Sequence, residues 1–163
     1  MNIEPDPVLF EAFPRHWPRD INLNVGVGPT AGEMVFFRMA NPLLNTFSAE
    51  EAERIARDEG IPIASRTRVR IENITTLLDR WDFTPDFLTI DTEGHDLLIL
   101  QSYDFTRRRP AVICVETLTF STQSRGRKLP EITECLLRVG YRVHADTQIN
   151  TLFVDGSRMP SSR

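Results

Sequence analysis

The chain alternates between stretches with extended and with helical periodicity, and it contains no internal repeat. Between residues 21 and 27, apolar side chains alternate with asparagine and glycine, which predicts a strand with one wet face. The apolar run at residues 34–37 predicts a second strand that pairs with this neighbour, and residues 67–71 predict a third strand. Apolar residues at 141–143 and 151–154 predict the two strands of a closing hairpin.

Helices are predicted between these strands. Ser48 and Glu51 have capping-box spacing, and the helix that they begin should end before Gly60. A further helix should begin after Asn73, a residue that caps helices well. An amphipathic helix is also predicted from Pro130, ending just before a glycine. The apolar stripe of the helix after Asn73 comprises Ile74, Leu77, Leu78 and Trp81.

Carboxylates follow three of the apolar extended runs. Residues 87–90 and 111–115 are short apolar runs typical of central parallel strands; Asp91 directly follows the first and Glu116 the second, while Glu4 follows a run at the amino terminus. The carboxyl ends of parallel strands meet at one edge of a sheet, where ligands bind, so the three carboxylates should line one crevice. The alternative for each carboxylate is that it only caps the helix that follows.

The segment from Asp91 to Asp96 is the strongest site candidate. It places three carboxylates and the His95 imidazole around Gly94, which permits a tight strand-to-helix turn. An imidazole that titrates near neutrality can accept a proton from a hydroxyl, and carboxylates can orient it or bind Mg²⁺ or Ca²⁺. The alternative is structural: Glu93 and Asp96 interact with the dipole of the next helix, and His95 is merely solvated.

Charge and composition limit the kinds of binding partner and the cellular compartment that can be expected for this protein. The formal net charge of −4 leaves no overall positive field for nucleic acid. Neither Cys114 nor Cys135 has metal-ligand spacing, and both are interpreted as buried, reduced thiols. No membrane span or targeting segment is evident, which predicts a cytoplasmic protein that needs no membrane. The length suits one domain, here residues 1–156, with residues 157–163 as a loose tail.

Three ordered stretches, residues 3–7, 22–28 and 87–96, resemble successive signatures of the FkbM-type methyltransferases, with the Asp-x-Glu-Gly sequence at residues 91–94 the most specific. The resemblance extends to about Val154. It implies an α/β fold of class I, a Rossmann-like sheet with helices on both faces. It also implies transfer of a methyl group from S-adenosylmethionine, usually to a hydroxyl of a small molecule or sugar.

The resemblance also assigns residues to the site. Glu4 would bind the ribose hydroxyls of S-adenosylmethionine, and Val27 would lie near the adenine. Asp91 would lie by the methionine end of the cofactor, and Asp91 and Glu93 beside the acceptor, with His95 as a possible base. These five residues are therefore the predicted catalytic and cofactor-binding set, and no metal ligand is assigned.

The sequence departs from the family pattern at its start. A strand and a glycine-rich turn would precede the Glu-Pro motif, but no Gly-x-Gly occurs before Glu4. The sheet is therefore expected to be incomplete at the amino terminus, with an exposed edge that favours self-association. Two alternatives follow, a non-catalytic or partner-dependent remnant of the fold and a metal-dependent enzyme. The metal ligands would be Asp91, Glu93, Asp96 and Glu116.

Overall fold

Nine strands form three separate sheets in residues 1–119 and 126–158, the part of the chain that this computed structural model describes. The strands are β1 (Asn2–Ile3), β2 (Asn22–Leu23), β3 (Gly26–Val27), β4 (Gly32–Met39), β5 (Ile63–Glu72), β6 (Phe87–Ile90), β7 (Val112–Glu116), β8 (Tyr141–Asp146) and β9 (Asn150–Asp155). The helices are α1 (Pro7–Phe10), α2 (Phe13–His16), α3 (Ala49–Asp58), α4 (Ile74–Arg80), α5 (Asp96–Ser102) and α6 (Pro130–Arg138), with 3-10 helices at Pro42–Leu44 and Gly156–Arg158.

The largest sheet has the strand order β6-β7-β9-β8. Strands β6 and β7 run parallel, and β8 and β9 form the predicted closing hairpin, antiparallel beside β7. The expectation that β6 is a central strand is wrong for the described residues, where β6 pairs only with β7. In a separate parallel pair, β1 and β2 pair only with each other, so both outer edges lack a strand partner in that part of the chain.

The strand predicted over residues 21–27 is divided between two sheets. Residues 22–23 form β2, which pairs with β1, whereas residues 26–27 form β3, which pairs with β5. The break falls at Asn24, whose side-chain amide donates to the carbonyl of Glu4 over 2.8 Å. A side chain that bonds the backbone of its neighbour competes with regular strand pairing, which explains why one run became two strands.

Strand β4 was predicted to pair with the strand that precedes it in the sequence, and this prediction is wrong. It pairs antiparallel with β5 from Gly32 to Met39, and the sheet has the order β3-β5-β4. This antiparallel ladder pairs eight residues of β4 with β5, whereas β2 and β3 each pair only two residues with their parallel partners.

The predicted helix starts are confirmed. Ser48 accepts from the amide of Glu51 at the start of α3, and Asn73 accepts from the amide of Thr76 at the start of α4. Gly140, which follows the C-cap residue Val139 of α6, has φ +87°, which glycine adopts without a steric penalty. Trp81 was predicted to be in the buried stripe of α4, but it follows the helix as its C-cap and is 45% exposed.

The main hydrophobic core lies between α4, α5 and α6 and the sheet from β6 to β9. The two cysteines are free and half-buried, so the prediction of full burial is wrong. Of the predicted tail, Ser157 and Arg158 belong to the last 3-10 helix, and residues 159–163 lie outside the described residues. Among the described helices, none has the length and apolar character needed to cross a membrane. The fold is a mixed α/β arrangement.

Candidate active site

Two cavities meet at Glu93. The larger, of about 540 Å³, is lined by Glu4, Val27 and Asp91 among others, so all three predicted cofactor residues contribute to one crevice. The smaller, of about 240 Å³, is lined on one side by Glu51, Asp96 and Glu116. Within the described part of the chain, Glu93 alone lines both cavities. Glu4 and Asp91 therefore line one cavity as expected, whereas Glu116 lines the other.

Glu4 directly follows β1, and a backbone amide of the same loop binds its carboxylate. The amide of Asp6 donates to Glu4 Oε1 over 2.7 Å, and no described residue binds Oε2. Burial raises the pKa of the Glu4 carboxyl, and the hydrogen bond from Asp6 opposes that rise. Its second oxygen is therefore free to accept from a ligand hydroxyl that enters the larger cavity.

Asp91 and Glu116, two of the three carboxylates predicted at strand ends, lie close together and are joined by Glu93. Their nearest carboxylate oxygens all lie within 4.8 Å of one another, because parallel β6 and β7 end side by side. Burial, and next the charge of Glu116, raise the pKa of Glu93 to about 8. Burial and the charge of Asp91 raise the pKa of Glu116 to about 7, and burial raises that of Asp91. The cluster therefore holds protons near neutral pH.

The backbone of Glu93 is held in an unusual conformation. Its φ is +48°, a left-handed value that only a few per cent of non-glycine residues adopt, and Gly94 follows with φ +103°. The hydroxyl of the fully buried Thr46 donates to the Glu93 carbonyl over 2.6 Å. Such conformations persist where the surroundings enforce them, and they cluster at functional sites.

His95 is buried rather than solvated, so the structural alternative of a solvated side chain is wrong. It is 7% exposed, its ring packs edge-on against Phe47 at a centroid distance of 6.0 Å, and burial lowers its pKa. Its Nδ1 atom has no hydrogen-bond partner in the described structure, and His95 lines neither cavity. A catalytic role for His95 stays a prediction.

Asp96 stabilises the turn between β6 and α5. Its Oδ1 accepts from the amide of Thr92 over 3.1 Å, and it is the acidic residue of the first turn of α5. The structural alternative is therefore supported for Asp96, as for an acidic side chain at a helix start. Thr92, which lines the larger cavity, has a buried hydroxyl without a partner among the described residues.

Comparison with known proteins gives one match. The model of the family described as the methyltransferase FkbM domain matches residues 1–143, which includes every residue of both cavities. The chain belongs to the FkbM methyltransferase family. No curated protein and no solved structure matches it. As a member of this family the chain is a methyltransferase, and such enzymes generally use S-adenosylmethionine.

Glu51 and Thr46 also contribute to the site of this FkbM methyltransferase, in addition to the predicted residues. Glu51, in the first turn of α3, lines the smaller cavity, and Thr46, in the loop before α3, donates to the Glu93 carbonyl. In the same loop, Ser48 caps α3 and Asn45 lines the larger cavity.

Proposed function

We propose that this FkbM methyltransferase binds S-adenosylmethionine in the larger cavity and methylates a hydroxyl group of a small molecule or sugar. One observation carries the proposal. Glu4, Val27 and Asp91 lie at the ends of strands from three different sheets, yet they line one cavity that joins a second at Glu93. A crevice where strand ends converge is the usual ligand site of open α/β folds.

The strand pairing supports a class I, Rossmann-like arrangement. The parallel pairs β1–β2 and β6–β7 place Glu4 and Asp91 after strands of the kind that end at a ligand crevice. The antiparallel hairpin of β8 and β9 completes the sheet beside β7.

The residues of the larger cavity suit the cofactor in shape and chemistry. Its volume of about 540 Å³ is in the range of about 300–1,000 Å³ usual for ligand pockets. Glu4 Oε2 would accept from a ribose hydroxyl, and Val27 with Phe36 and Phe47 supplies an apolar wall for adenine. Asp91 and Thr92 would face the methionine portion. When bound, the cofactor supplies an electrophilic methyl group on a positively charged sulfur.

Glu93 is the group best placed to move the acceptor proton. It lies where the two cavities join, so a hydroxyl in the smaller cavity would meet its carboxylate beside the methyl donor. A carboxyl with a pKa of about 8 is a stronger base than an ordinary glutamate once it is ionised. The position of His95, against Phe47 and outside both cavities, supports Glu93 over His95 for this role.

Transfer of a radiolabelled methyl group from S-adenosylmethionine to a panel of hydroxylated small molecules and sugars tests the proposal. We expect transfer to at least one acceptor, loss of most of it in Glu93→Gln, and no loss in Glu134→Gln, which changes an exposed glutamate of α6. Wild-type protein that labels no hydroxylated acceptor, or a Glu93→Gln variant as active as wild type, would count against it.

A second candidate is a metal-dependent enzyme, and the convergence of Asp91, Glu93 and Glu116 oxygens within 4.8 Å favours it. Oxygen ligands of this kind suit Mg²⁺ or Ca²⁺, and a bound cation would lower the raised pKa values of the cluster. Activity that survives prolonged treatment with EDTA would remove this candidate, and activity restored by Mg²⁺ after chelation would support it.

A further inference from the structure

Two neighbouring residues in the loop between β4 and α3 each reach a different wall of the crevice. We propose that Asn45 and Thr46 are positioning residues for methyl transfer, with Asn45 setting Glu4 through Asp6 and Thr46 setting Glu93 directly. The inference rests on the proposed function, because it takes Glu4 to serve the cofactor and Glu93 to serve the acceptor.

Thr46 is itself held in place. It is fully buried, and its amide and carbonyl pair with Phe37 of β4 over 3.1 and 2.8 Å. Its Oγ1 accepts from the amide of Ser48 over 2.9 Å, so the single hydroxyl proton is directed to the Glu93 carbonyl at 2.6 Å. This bond fixes the peptide at the residue with the left-handed φ, and so fixes the direction of the Glu93 side chain.

Asn45 makes the equivalent connection to the other wall. Its Nδ2 donates to Asp6 Oδ2 over 2.9 Å, and its Oδ1 accepts from the amide of Met39 over 2.8 Å. Asp6 is fully buried, accepts also from Arg38, and donates its own amide to Glu4 Oε1. The position of Glu4 therefore depends on a network whose far end is anchored on β4.

The side chains of Asn45 and Thr46 point in different directions because of the local backbone conformation. Asn45 has extended backbone angles, φ −62° and ψ 132°, and neighbouring side chains in extended backbone point to opposite sides. One residue therefore reaches the loop after β1 and the next reaches the turn after β6. Because both are anchored to β4 through Met39 and Phe37, they fix the distance between the two walls.

Positioning and simple packing predict different kinetics. Thr46→Val removes the hydroxyl but keeps the shape, and should lower kcat roughly a hundredfold, the size of effect caused by a misplacement of about 1 Å, without changing the affinity for S-adenosylhomocysteine. Asn45→Asp changes one donor group into an acceptor facing Asp6. It should weaken S-adenosylhomocysteine binding about tenfold and lower kcat far less than Thr46→Val does.

Two further variants separate positioning from loss of stability. Thr46→Ser retains the hydroxyl and should recover most of kcat. Thr75→Val is the matched control, since Thr75 is also buried, its hydroxyl accepts from the amide of Asp104, and it lines neither cavity. It should lower the midpoint of thermal unfolding without changing kcat or the affinity for S-adenosylhomocysteine.

A readout independent of activity completes the test. Carbon-13 NMR should find that the backbone carbonyl resonance of Glu93 moves in Thr46→Val, which removes the donated hydrogen bond, and keeps its wild-type position in Thr46→Ser. If wild type binds no S-adenosylhomocysteine, the proposed function fails while the NMR arm still decides for or against the Thr46 contact. An unmoved Glu93 carbonyl resonance in Thr46→Val, or the same kinetic change in both loop variants, would overturn the inference.

Discussion

Replacing Glu93 with glutamine should stabilise the fold in alkaline solution and leave its stability almost unchanged in acid. The pKa of Glu93 is about 8 in the folded protein against 4.5 for an ordinary glutamate. Between these values the folded state holds a proton that the unfolded state has lost, so stability falls as the pH rises through this window. At about 1.4 kcal/mol for each pH unit, the full difference corresponds to at most about 5 kcal/mol.

Part of that free energy depends on Glu116, because the charge of Glu116 contributes to the raised pKa of Glu93. We therefore expect Glu93→Gln to recover roughly 2–4 kcal/mol at pH 9 and close to nothing at pH 4.5. Urea unfolding followed by circular dichroism at both pH values measures this, with Glu134→Gln as the exposed control. An equal difference between wild type and Glu93→Gln at the two pH values would refute the raised pKa of Glu93.

Other predictions concern the scaffold around the crevice. A Cβ on Gly26 would lie 2.5 Å from Phe47 and 2.6 Å from Ile71, so Gly26→Ala should cost about 1–3 kcal/mol and lower the Tm by roughly 2–10 °C; an unchanged Tm would contradict the packing. Tyr141→Phe should cost about 1–3 kcal/mol in urea unfolding, because the buried hydroxyl donates to the Pro110 carbonyl over 2.7 Å, and a smaller loss would mean that the bond contributes little. The unpaired edge of β6 should promote self-association, which light scattering at increasing protein concentration would detect, and a monomer at every concentration would remove this expectation.

The parts of the fold that the sequence predicted are those with local causes. The starts of α3 and α4 follow from caps at Ser48 and Asn73, whose partners lie three residues away. The hairpin of β8 and β9 also joins segments close in sequence. The division into three sheets could not be predicted, since it depends on long-range pairings such as β4 with β5 and on the Asn24 contact with Glu4.

The candidate site likewise has parts that the sequence predicted and parts that it did not. The cluster at residues 91–96 was found because its residues are consecutive, and Glu116 because parallel strands end side by side. The contacts of Thr46 with Glu93 and of Asn45 with Asp6 were not predicted. They span 47 and 39 residues, and the sequence of a polar loop does not indicate which distant residues it will contact. The burial of His95 was also missed, because it results from packing against Phe47.

The most direct test of the central claim is isothermal titration of S-adenosylhomocysteine into the purified chain and its Glu4→Ala variant. We expect binding with one site per chain in wild type and a loss of most of that binding in Glu4→Ala, because Glu4 Oε2 would accept from a ribose hydroxyl. No heat of binding with wild type, or equal affinity for the two proteins, would contradict the placement of the cofactor in the larger cavity.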